Sequence, residues 1–156
     1  MRRLRLGEWI AALAGVGLLV SLGLDWYAAR GRETGISGFG AFDVIDLLLV
    51  LLAAAGIALA IIQATRDSPA LPVAAAVLTI PAGILGTLLV LYRIVNEPGP
   101  DEFVEVRAGA YLGLLATAAL TAGAWLSLAD EHVRGLPPGP EPELRPAPRI
   151  AADAEP

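Results

Sequence analysis

The sequence predicts an all-α, polytopic membrane protein: an antiparallel bundle of four transmembrane helices followed by a disordered, proline-rich C-terminal tail. Three observations carry that expectation. Hydrophobic residues make up 56% of the 156 and mean hydropathy is +0.64, above the roughly 45–50% apolar share, counted with glycine, of a soluble domain. The chain holds four apolar runs, each near the ~20 helical residues needed to cross a hydrocarbon core of about 30 Å. Beyond Arg134 the composition changes: residues 135–156 contain seven of the twelve prolines and little to bury, the mark of an extended cytoplasmic tail.

The first span is expected at 7–24. A basic start, MRRLRL, precedes an apolar run from Trp9 to Leu24, which is also how a secretory signal begins. Trp26-Tyr27-Ala28-Ala29-Arg30 makes a poor cleavage site, so a retained span is expected. Asp25 to Phe42, rich in glycine and aromatics, reads as an irregular loop lying on the membrane surface. The second span, 43–64, is too apolar all round for a surface helix. Asp43 suits its N-cap and Asp46 its first turn, where the helix dipole favours a carboxylate. The short turn Thr65 to Pro69 makes spans two and three antiparallel neighbours, with Ser68-Pro69 as the helix start.

The third span, 70–95, carries Pro81 at its centre. A proline there removes the hydrogen bond to the Val77 carbonyl and sets a helix kink, either static or a hinge. The fourth, 107–130, places Gly109, Gly113, Thr117 and Thr121 at four-residue spacing. Such a small-residue stripe lets a neighbouring backbone approach closely, inside the bundle or from a second copy.

Arginines near the span ends set the orientation. With the N-terminus inside, Arg2, Arg3, Arg5, Arg66 and Arg134 face the cytoplasm against Arg30, Arg32, Arg93 and Arg107 outside. The N-terminal cluster decides the balance and leaves both termini cytoplasmic. Trp9 and Trp125 then fall at the inner interface, and Trp26, Tyr27, Tyr92 and Tyr111 at the outer one, where amphipathic rings prefer to sit. Phe39, Phe42 and Phe103 belong to the outer loops, which are expected to pack together or dip into the headgroups.

The same map gathers charges at the outer end: Asp25, Asp43, Asp46, Arg93 and Arg107. Arg107 opposes the dipole of the helix it opens, so a carboxylate should offset it, and a carboxylate near lipid is paired or neutral. Asp46 is expected to pair with Arg93, and Asp43 or Asp25 with Arg107. The cluster is a latch holding the outer ends together or, alternatively, a protonatable site with Asp46 as carrier. No charge is expected deep in a span.

Several chemistries are excluded. The chain lacks cysteine and its one histidine, His132, follows the last apolar run, so thiol redox chemistry, thiolate metal sites and haem or di-iron ligation within the spans have no residues to use. No nucleophile stands near a base, and there is no basic footprint for nucleic acid. No catalytic residue, metal or cofactor is expected.

Asp25-Trp26-Tyr27, Ser37 to Asp43 (SGFGAFD), Tyr92 to Val95 (YRIV) and Val106 to Gly113 (VRAGAYLG) resemble uncharacterised small four-span integral membrane proteins of high-GC Gram-positive bacteria, over about the first 130 residues. Where such proteins carry Gly-Trp-x-Ala-Phe, this chain has Gly38-Phe39-Gly40-Ala41-Phe42. The resemblance implies a tetraspan bundle but no known activity, substrate or catalytic residue. The aromatic first loop is also similar to claudin-like tetraspans, whose paired loop cysteines are missing here. The expected role is a non-catalytic structural or interaction protein of the cytoplasmic membrane, a complex subunit whose partners are the lipid bilayer and another protein or a second copy. The alternative is a small transporter or channel component using an outer-end carboxylate.

Overall fold

The computed structural model describes residues 6–41, 44–65, 70–99 and 103–133. The tail at 135–156, Asp43, Phe42 and the arginines at 2, 3, 5, 66 and 134 lie outside those residues. In chain order the elements are α1 (Leu6–Gly23), β1 (Asp25–Ala29), β2 (Gly35–Ser37), the single turn α2 (Gly38–Ala41), α3 (Ile45–Thr65), α4 (Ala70–Val95), β3 (Val104–Val106) and α5 (Ala108–Val133). Helices α1, α3, α4 from Ala74 onward, and α5 as far as Ala129 are long and apolar enough to cross a membrane.

Helix α1 packs most extensively on α5 and then on α3, α4 packs on α5, and the α3–α4 contact is the smallest of the four. Glycine sets the closest approaches. A Cβ on Gly123 would lie 2.6 Å from the Ala11 amide nitrogen, and one on Gly7 the same distance from that of Ser127, so the α1 and α5 backbones touch there. On the other side of α1, a Cβ on Gly15 would meet the Ala53 carbonyl at 2.7 Å and one on Gly56 the Ala11 carbonyl at 2.8 Å. In both pairs the numbers rise on one helix as they fall on the other, so the helices run antiparallel. Leu18, Leu22, Leu49, Leu59 and Leu120 fill the interior, while Leu13, Val20, Leu51, Leu85 and Leu115 are exposed on the outer faces. Helices apolar on both faces in this way suit hydrocarbon rather than water.

Pro81 stands inside α4, which continues unbroken on both sides of it. The hydroxyls of Thr79 and Thr87 donate to the Ala75 and Gly83 carbonyls at 2.7 and 2.8 Å, so these polar groups are satisfied within their own helix.

The segment after α1 is not an irregular loop. It forms two strands of a three-stranded antiparallel sheet, ordered β2-β1-β3. Tyr27 and Ala28 face Ile36 and Gly35 on one side and Val106 and Glu105 on the other. The β1–β2 connection turns at Ala29–Arg32, where the Arg32 amide donates to the Ala29 carbonyl at 2.9 Å. Gly31 adopts φ 82° at the third position, as a type II turn requires. One strand of the sheet comes from before α2 and another from after α4, so the sheet caps one end of the bundle. That end is called the sheet end below, and the other the far end.

Candidate functional site

The sheet end is organised around Trp26. The β1–β2 register slips by one residue between Asp25 and Tyr27, leaving Trp26 as the extra residue of a bulge, a device that re-aims a side chain. Its indole turns into the bundle and is 0% exposed, with Nε1 donating to the Ser21 carbonyl at 2.7 Å. Three glycines make room for it. A Cβ on Gly113 would stand 2.6 Å from Cζ2 of the indole, one on Gly109 2.8 Å from Cδ1, and one on Gly38 2.9 Å from Nε1. Backbone bonds complete the seat: Arg107 N–H donates to the Trp26 carbonyl at 2.8 Å, and Gly38 N–H to the Leu24 carbonyl at 3.3 Å.

Tyr27 points to the opposite side. It is buried, and its hydroxyl donates to the Arg93 carbonyl at 2.8 Å, tying β1 to the last turn of α4. Burial pushes the phenol above the usual tyrosine range; the Arg93 guanidinium beside it pulls the other way, and the Glu97 carboxylate adds to the rise. Trp26 and Tyr27 are therefore interior residues joining sheet to helices, not an interfacial belt. Tyr92, Tyr111, Trp9 and Trp125, by contrast, are all more than half exposed.

The five residues expected to form a charge cluster are distributed differently. Asp43 lies outside the described residues. Asp25 Oδ2 accepts the Gly35 amide at 3.2 Å, closing the hairpin, and Asp46 Oδ1 accepts the Leu47 amide at 2.7 Å in the first turn of α3. Asp25 and Asp46 are thus each engaged by a nearby backbone amide. Arg107 instead donates through Nη2 to the Arg32 carbonyl at 2.8 Å and stands 3.6 Å from Glu105 Oε2. Glu105 lies within β3, opposite Ala28 of β1.

The stripe Gly109, Gly113, Thr117 and Thr121 does not face a single neighbour. The first two meet Trp26, Thr117 is buried in the core and donates to the Leu114 carbonyl, and Thr121 abuts Gly83 of α4. Each four-residue step advances about 40° beyond a full turn, so the stripe winds from the α1 side of α5 to the α4 side. With Gly109 and Gly113 filled by the indole, those two glycines offer no face to a second copy.

The far end holds what the sequence reading missed. Glu8, in the first turn of α1 and inside its apolar stretch, is 1% exposed. Buried Gln63 of α3, Thr79 of α4 and Ser127 of α5 lie toward the same end, so each of the four long helices contributes a buried polar side chain there. Glu8 is thus a buried acid at the edge of its span, in the first turn rather than deep within it. The signal was legible, because Glu8 falls on the stripe Ala11-Gly15-Leu18-Leu22 at three- and four-residue spacing, the buried face of α1.

These features define the chain as a bundle of four membrane-length helices closed at one end by a sheet that a buried tryptophan plugs into place. Comparison with known protein families, curated proteins and solved structures gives no match. Among the described residues no group of three or more His, Cys, Asp and Glu is placed to hold a metal ion.

Proposed function

We propose that this chain is a multi-pass protein of the cytoplasmic membrane with a non-catalytic, structural or interaction role, a subunit of a larger complex whose N- and C-termini face the cytoplasm. The observation that carries this reading is how the sheet end uses its polar groups. The Trp26 indole, the Tyr27 hydroxyl and the Arg107 guanidinium each bond a backbone carbonyl. Such contacts hold one segment against another, which is structural work. Purification in mild detergent through a C-terminal tag, with identification of co-purifying proteins, tests it. One partner recovered reproducibly and in fixed ratio supports the reading. A lone, monodisperse protein that moves a solute across liposomes sinks it.

A second reading, a small transporter or channel component, is favoured by a specific observation: Glu8 is buried within α1, toward the end where Gln63, Thr79 and Ser127 are buried. Ionisable residues within spans mark pathways or pairs. This moves the candidate carboxylate from Asp46 to the opposite end of the bundle. Solute or proton flux in liposomes that Glu8→Gln abolishes, with Asp46→Asn unaffected, would establish it; flux absent from the wild-type protein removes it.

A further inference from the structure

Beside the Trp26 seat, on the Tyr27 face of the sheet, lies a groove of about 390 Å³ whose lining includes Tyr27, Ile36, Ala41, Pro98, Phe103 and Val104 and no charged residue. Two of its lining residues, Ile36 and Phe103, are 55% and 65% exposed, and Phe39, next in the chain to lining Gly40, is 49% exposed. An exposed apolar patch around a concavity marks a contact surface, and three features identify what it contacts. The patch continues the apolar outer surface of the helices, because Val44 just before α3 and Val95 at the end of α4 are also exposed. Tyr92 and Tyr111, both more than half exposed near the same ends of α4 and α5, occupy the level that amphipathic rings favour at a membrane–water boundary. The groove lining itself carries no charge, while the hairpin turn at the other end of β1 from the helices exposes Arg30, Arg32 and Glu33.

From this placement we propose that the cap lies in the membrane boundary rather than above it: Ile36, Phe39 and Phe103 face the lipids of the adjoining leaflet, which fill the groove, while the charged hairpin turn stands in water. The proposal rests on the membrane assignment made above, and the test separates the two. The natural chain contains no cysteine, so single cysteines can be spin-labelled without background. Labels are placed at Phe39→Cys and Phe103→Cys, at Glu33→Cys as a water reference and at Leu51→Cys, on the exposed face of α3, as a hydrocarbon reference. Collision with oxygen, which concentrates in lipid, is compared with collision with a nickel chelate, which stays in water, for the protein in phospholipid vesicles.

The expected result is a preference for oxygen at 39, 103 and 51, and for nickel at 33. Nickel preference at 39 and 103 with oxygen preference at 51 overturns the proposal and leaves the membrane assignment standing. Nickel preference at 51 overturns both. Shielding of 39 and 103 from both reagents also overturns the proposal and assigns the patch to a protein partner or a second copy. If either aromatic substitution disturbs folding, read from the fluorescence of buried Trp26, Ile36→Cys takes its place in the same comparison.

Discussion

Gly113→Ala is the sharpest probe of the tryptophan seat, because a matched glycine supplies its control. A methyl at Gly113 would stand 2.6 and 2.9 Å from Cζ2 and Cη2 of Trp26, well inside van der Waals contact. The indole cannot swing away without breaking its bond to the Ser21 carbonyl. Overpacking of a filled core costs about 1–3 kcal/mol. Opposing it, alanine gains up to about 1 kcal/mol of helix propensity over glycine in water. Gly17→Ala gains the same propensity in α1, yet its methyl would meet only the Ala116 Cβ, at 4.0 Å, an ordinary contact. The propensity gain therefore cancels between the two variants, and Gly113→Ala should be less stable than Gly17→Ala by about 1–3 kcal/mol. Reversible unfolding in mixed micelles measures the difference. Trp26→Phe shortens the ring system and should remove most of the penalty, giving a coupling energy of about 0.5–3 kcal/mol in the double-mutant cycle. Two alanine variants agreeing within about 0.5 kcal/mol, or a coupling near zero, would refute the seat.

Other expectations follow from the same end of the bundle. Tyr27→Phe deletes one hydrogen bond to the Arg93 carbonyl and should cost about 0.5–1.5 kcal/mol, with faster amide exchange in β1 as the local readout. Because the Tyr27 phenol is raised in the folded state, the unfolded chain loses its proton first. Stability is then fully present below the ordinary tyrosine value of about 10 and falls as pH rises through the higher folded value. Alkaline unfolding should show a shallower loss in Tyr27→Phe, and equal slopes would contradict the assignment. Arg107→Gln breaks the link to the Arg32 carbonyl and a partly exposed pair with Glu105. Since exposed pairs contribute about 0–1 kcal/mol, Glu105→Gln alone should be nearly neutral, while Arg107→Gln accelerates exchange around the 29–32 turn. Asp46→Asn should change stability by less than about 1 kcal/mol, the range of a helix N-terminal charge; a coupling to Arg93 above that range would restore the latch.

The helices were legible and the cap was not, for reasons visible in particular residues. Hydrophobic length alone marks α1, α3, α4 and α5, since each must supply an apolar crossing regardless of what it packs against. The strands carry no such signal. Val104-Glu105-Val106 is three residues long, and its partner Tyr27-Ala28-Ala29 lies more than seventy positions earlier, so no local period announces the pairing. The partners of Arg107 and Asp25 were hidden for the same reason. Arg107 and Asp25 share a level in the bundle, but level does not specify direction. Only when β1 is known to pair with both neighbours does it follow that Asp25 turns to Gly35 and Arg107 to Glu105 and Arg32. Glu8 differs, because its three- and four-residue spacing to Ala11, Gly15, Leu18 and Leu22 is a local signal of the buried face of α1.

The cap also determines where this bundle can move. Through backbone bonds and the Tyr27 hydroxyl, the sheet end joins the close of α1 (Gly38 N–H to Leu24), the last turn of α4 (Tyr27 to Arg93) and the start of α5 (Arg107 N–H to Trp26). Three of the four long helices are thus tied within a few residues of one another. Relative motion among them at that level would break several hydrogen bonds, each worth about 0.5–1.5 kcal/mol, and unseat the indole, whose loss to alanine alone would cost about 3–5 kcal/mol. The α3–α4 contact, the smallest of the four, lacks a comparable clamp among the described residues. Any opening the bundle undergoes should therefore leave α1, α4 and α5 together at the sheet end and separate α3 from α4, including at the far end, where Gln63 and Thr79 are buried. Paired spin labels at exposed Ile61 on α3 and Val77 on α4 would report the change as a broadened distance distribution. A pair at exposed Leu91 on α4 and Leu112 on α5, near the cap and on helices the sheet ties together, should stay narrow. Equal breadth in both pairs would remove the clamping role from the sheet.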